Sequence, residues 1–118
     1  MTQRPILRIE AERRPDEQTQ IITLAGKLVG EPIAYELLEE TRDRVKDGLH
    51  RIVLVMDRVE MINSSGAGIL ASMYMSASGQ GGKVLLVGLS DRSRKVLELM
   101  RMHEFMAMVD DLDTALAD

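Results

Sequence analysis

Two short apolar runs rich in β-branched residues, Ile52-Val53-Leu54-Val55-Met56 and Lys83-Val84-Leu85-Leu86-Val87, constrain this chain more than any other feature. Neither run alternates with polar residues, which is the pattern of a strand buried on both faces. Such strands belong to sheets whose connections carry helices. The segment between the runs supplies one, because Ile69, Leu70, Met73, Tyr74 and Ala77 recur on a single helical face. Gly79-Gln80-Gly81-Gly82 turns the chain into the second run, and Gly88 follows it.

The rest of the chain extends this alternation. Leu7, Ile9 and Ala11 alternate with Arg8, Glu10 and Glu12, the period of a half-buried strand. A turn around Pro15-Asp16-Glu17 separates it from a second strand, Ile21 to Ala25, which stops at Gly26. These two suit an antiparallel pair joined by a long loop. Pro32 opens a helix in which Ile33, Leu37, Leu38, Thr41 and Val45 share one face and Gly48 marks the end. Glu36, Glu39, Glu40, Asp43 and Lys46 occupy the other face, read as solvated surface. Ser90 caps a third helix predicted over Asp91 to Met102, with Arg92, Arg94 and Lys95 as solvated surface. Phe105 to Val109 reads as a last short strand, and Asp111 as the cap of a closing helix through Leu116. The order β-β-α-β-α-β-α-β-α describes an α/β fold with a mostly parallel sheet and one antiparallel strand at its start.

Composition decides what this fold is free to do. With 118 residues there is room for one domain, expected over 1–118 with a core from about 7 to 116. The net charge of -4 argues against general nucleic-acid binding, which needs a basic face. No cysteine is present, so disulfides, thiolate metal sites and cysteine nucleophiles are excluded. The start lacks the apolar run of a signal peptide, and no stretch reaches the roughly 20 apolar residues that span a bilayer. A cytoplasmic protein without membrane insertion is expected. Nine methionines against three aromatics point to a Met-rich core, or to a partner surface that includes Met73 or Met75.

In open α/β sheets, sites lie beyond the carboxyl ends of the strands. The segment after Met56 is therefore the place to search, and it carries Asn63-Ser64-Ser65-Gly66 at the entry to a helix. The free N–H groups there favour hydroxyl caps and anions. One serine caps the helix, or the hydroxyls face outward as acceptors of modification. A phosphate on Ser64 would add about -1.5 to -2 charges, which a helix N-terminus tolerates. Gly66 and Gly68 weaken the helix by about 1 kcal/mol each relative to alanine, in exchange for close approach of another backbone or a partner.

Catalytic patterns are poorly represented. His50 and His103 share no metal-ligand spacing, Ser64 has no sequence-evident base, and the Gly-rich turn at Gly79 to Gly82 lacks the lysine and hydroxyl of a P-loop. Asp57 ends a buried strand as a phospho-acceptor aspartate would, but Gly26-Lys27-Leu28-Val29 offers no acidic pair to hold Mg²⁺.

From about Leu7 to Leu116 the chain resembles a STAS domain, the family of bacterial anti-sigma-factor antagonists. Asp57, Met61, Ile62, Asn63, Ser64, Ser65 and Gly66 follow its signature in order, as do Gly81-Gly82-Lys83-Val84 and Ser90 before a helix. Asn63 stands where aspartate is common, and Val29 replaces another frequent acid. The resemblance implies a switch that binds an anti-sigma serine kinase and is reset by a serine phosphatase. Ser64 would be the phosphoacceptor, with Asn63, Ser65, Gly66, Asp57 and Met61 shaping the partner-binding surface. The protein would be a substrate and not an enzyme, and no cofactor or metal is implied. Two alternatives use the same turn. One is a non-phosphorylated subunit of a signalling or lipid-transport complex; the other is an anion- or nucleotide-binding sensor at Ser65-Gly66.

Overall fold

A computed structural model describes residues 7–13 and 18–117 of the chain. The two apolar runs lie side by side at its centre, with Ile52 opposite Val84 and Leu54 opposite Leu86 in parallel register. Around them the elements are β1 (Leu7–Arg13), β2 (Thr19–Leu28), α1 (Pro32–Lys46), β3 (Arg51–Ile62), α2 (Ser64–Gly79) and β4 (Lys83–Val87). Then come α3 (Asp91–Leu99), a 3-10 turn (Met102–Glu104), β5 (Ala107–Val109) and α4 (Leu112–Ala117). The strands form one sheet in the order β1-β2-β3-β4-β5. Only the β1–β2 pair is antiparallel. This is the α/β order expected from the sequence; the turn proposed at Pro15-Asp16-Glu17 lies outside the described residues.

Three successive crossovers step in the same direction across the sheet. Right-handed connection therefore puts α1, α2 and α3 on one face. The main core lies there, with Leu24, Leu54, Leu70, Met73 and Leu97 among its buried members. On the opposite face α4 covers a smaller cluster built on Ile21, Val53, Leu85 and Val87. Asp111 caps α4 by accepting from the Thr114 N–H at 2.8 Å. That bond holds its carboxyl below the usual carboxylate range. Among the described residues, no helix is long and apolar enough to cross a membrane.

Several boundaries differ from expectation for physical reasons. β2 continues through Gly26, whose φ of 105° only glycine adopts readily, and ends at Leu28. β3 runs six residues beyond Met56, to Ile62. β4 stops pairing with it at Val55, so the extension bonds only to β2, with register shifts on either side of the Gly26 pairing. Each shift inserts an extra β3 residue and turns the strand. The third helix stops at Leu99, not Met102, because Arg101 takes a left-handed conformation and a 3-10 turn follows. The last strand is Ala107–Val109 alone. Of the two methionines set apart as partner-facing, Met73 is fully buried and belongs to the core, whereas Met75 is 71% exposed.

Candidate functional site

The extension of β2 and β3 carries the start of α2 past the end of β4 and makes it the tip of the molecule. Asn63 is the residue that caps this helix. Its backbone is extended, and its side-chain Oδ1 accepts from the Gly66 N–H at 2.8 Å. Its own N–H donates to the Leu28 carbonyl, which ties the cap to the end of β2. Neither serine is needed as a cap. Ser64 and Ser65 occupy the first two helical positions, both are exposed, and neither hydroxyl has a hydrogen-bond partner among the described residues. The free N–H groups and the positive end of the helix dipole stand beside them.

The helix meets β2 so closely that Gly66 has no room for a side chain. A Cβ there would strike the Leu28 carbonyl oxygen and lie 3.1 Å from Leu28 Cγ. Gly68, two residues on, has nothing within 4 Å of an added Cβ. The loop before α1 approaches from the other side: a Cβ at Gly30 would lie 2.8 Å from Ser65 Cβ and 3.1 Å from the Tyr35 hydroxyl. Gly30 and Tyr35 thus border the serines. Their place is a tertiary fact that periodicity cannot show, and the sequence pattern assigns Tyr35 no role.

Asn63, Ser64, Ser65 and Gly66 stand together at the tip. Met61 adjoins them, half-buried and paired with Lys27 across the sheet. Asp57 does not join them. It sits against Gly88 at the end of β4, where an added Cβ would strike its carboxylate. Five residues of β3 separate it from Asn63, up to about 20 Å of extended chain. Behind the tip, the 16 residues of α2 include no charged side chain, and Met75 projects from them. The exposed flank of this helix is thus an uncharged surface headed by two free hydroxyls.

The cap requires an acceptor oxygen and not a charge, which asparagine supplies as well as aspartate. Asn63→Ala is expected to cost about 1 kcal/mol, and Asn63→Asp to leave stability unchanged or raise it by up to about 1 kcal/mol through the dipole. Urea denaturation of the two variants checks this. Equal losses in both would mean that the Oδ1 bond to Gly66 contributes nothing.

The STAS domain family model matches residues 8–115. The TM1081 homolog of Thermotoga neapolitana is 30% identical over 71 residues, 60% of this chain and 63% of that relative, so the matched region is less than two thirds of its length. The anti-sigma factor antagonist SpoIIAA, in its unphosphorylated form, superposes with a TM-score of 0.80 at 19% identity, covering 92% of this chain and 93% of that one. The phosphorylated form of SpoIIAA, a Bacillus cell fate determinant, superposes with a TM-score of 0.67 at 20% identity over 93% of this chain and 97% of that one. At those identities the structures speak for the fold, and the family match, running through β1 to α4 and the Ser64 tip, speaks for descent: the chain belongs to the STAS domain family.

Proposed function

We propose that this protein is a cytoplasmic anti-sigma-factor antagonist that binds an anti-sigma serine kinase through the Ser64 tip and is switched by phosphorylation of Ser64. The unphosphorylated protein occupies the kinase and thereby frees the sigma factor; a serine phosphatase reverses the modification. The chain is a substrate of both enzymes and catalyses neither step. One observation carries this reading: Asn63 caps α2, so the Ser64 hydroxyl is exposed and unbonded at the head of an uncharged helix. The names of its relatives supply the class of partner.

The tip also suits a phosphate physically. The first turn of α2 carries no acidic residue, and the neighbouring cap is a neutral amide. An added dianion therefore meets the helix dipole with no carboxylate in its own turn, and the dipole favours it by about 0.3–1 kcal/mol.

The test is transfer itself. Incubation with an anti-sigma serine kinase and ATP, followed by peptide mass spectrometry, is expected to place one phosphate on Ser64. Ser64→Ala should accept none, while Ser65→Ala should still be modified. Stable association with the partner but no phosphate on Ser64 would favour a constitutive subunit over a switch.

A further inference from the structure

The sheet face opposite α1, α2 and α3 is only partly covered. The cluster beneath α4 reaches Val55 and Val109 at its margin and includes neither Thr23 nor Ala25. Strand register fixes what stands on the open part. Arg8 lies opposite Ala25, and Ala25 opposite Arg58, so two arginines flank an alanine in one row across three strands. Residues directly opposite one another share a face. In the next row towards α4, Glu10 lies opposite Thr23.

Adjacent strands are about 4.8 Å apart, which puts the two arginine Cα atoms roughly 10 Å apart. Their side chains rise on either side of a single methyl group. The result is a cleft of about 220 Å³ lined by Arg8, Glu10, Thr23, Ala25 and Arg58. Ala25 is only 8% exposed although it lies outside the cluster beneath α4. Neither guanidinium has an ion pair or hydrogen bond among the described residues, even though Glu10 lines the same cleft. Two unpaired arginines therefore face each other across a small-floored cleft on a chain whose net charge is -4.

The geometry points to a binding site for a phosphate-class oxyanion, held between the N–H forks of Arg8 and Arg58. The planar guanidinium donates two parallel bonds to such an anion, and one from each side would clamp it. The Thr23 hydroxyl supplies a third donor from the neighbouring row. Glu10 opposes the anion and limits affinity; as the one acid in the cleft it makes the site's electrostatics separable by substitution. The site lies on the open sheet face and does not depend on Ser64 or on the partner that binds there.

Amide chemical shifts of the whole chain, titrated with inorganic phosphate and in parallel with glycerol phosphate, test the site. Chloride at matched ionic strength is the control. Saturable shifts at Thr23, Ala25 and Arg58 are expected with at least one of the two phosphates. Arg8→Gln and Arg58→Gln should each weaken binding at least tenfold, Arg58→Lys should weaken it less, and Glu10→Gln should tighten it severalfold. Both arginines are exposed, and circular dichroism confirms that each variant is folded. Binding of neither phosphate overturns the proposal. So do shifts that chloride reproduces, shifts that survive the double arginine substitution, and shifts centred on the Ser64 to Ala67 amides.

Discussion

Gly66→Ala is expected to destabilise the protein by about 2 kcal/mol, whereas Gly68→Ala, two residues along the same helix, is expected to stabilise it by about 1 kcal/mol. Intrinsic propensity favours both changes equally, by about 1 kcal/mol each. The difference is tertiary. A methyl at Gly66 would collide with the Leu28 carbonyl oxygen, which also accepts from the Asn63 N–H, so neither the atom nor its strand can yield without loosening the cap. Overpacking of that kind costs about 3 kcal/mol at the upper end of its usual range, and propensity offsets about 1 of it. At Gly68 nothing lies within 4 Å of the added carbon, and only the propensity gain remains. Thermal denaturation should show Gly66→Ala melting well below the parent and Gly68→Ala slightly above it. Shifts of the same sign in both would mean that α2 does not rest on β2 at this point.

This pair also marks where the sequence stops being informative. The central strands were legible because Ile52 to Met56 and Val84 to Val87 lie between other strands and are almost wholly buried, so they must be apolar. The β3 extension was not, because it pairs with β2 alone and tolerates Asp57, Arg58 and Glu60 in the open. A strand carrying those charges looks like a loop. The third helix misled in the opposite direction. Leu99, Met100 and Met102 continue an apolar pattern, but Leu99 is 78% exposed and Arg101 has already turned the chain.

At the tip, the sequence suggests one of the two serines as the cap, since hydroxyls are competent acceptors, and the cap is instead Asn63. Only the backbone geometry decides this, by placing Asn63 in the extended conformation just before the first helical residue. Gly66 could be read as a close approach, yet its partner, Leu28, is 38 positions away and gives no local signal. The same holds for Gly30 and Tyr35 beside Ser65.

The choice of Asn63 as cap leads to the largest functional effect expected of a single substitution. Ser64→Asp should lower affinity for the anti-sigma kinase by at least tenfold while leaving the protein folded, and Ser64→Ala should bind within about threefold of the parent. Folding is spared because the new carboxylate sits at the positive end of α2 with no acid in that turn. With docking through α2 as proposed, binding is not spared, since that helix is uncharged throughout and a lone carboxylate buried at the interface must be desolvated without a partner. That penalty amounts to several kcal/mol for a buried ion, against about 1.4 kcal/mol for each factor of ten in affinity. A neutral variant of similar size, Ser64→Asn, separates charge from bulk and should lose much less than Ser64→Asp. Calorimetric titration of the four proteins into the kinase, with melting curves alongside, gives both quantities. Equal affinities for Ser64→Asp and the parent would remove Ser64 from the interface; equal losses for aspartate and asparagine would make the contact steric, and phosphate would then act by size and not by charge.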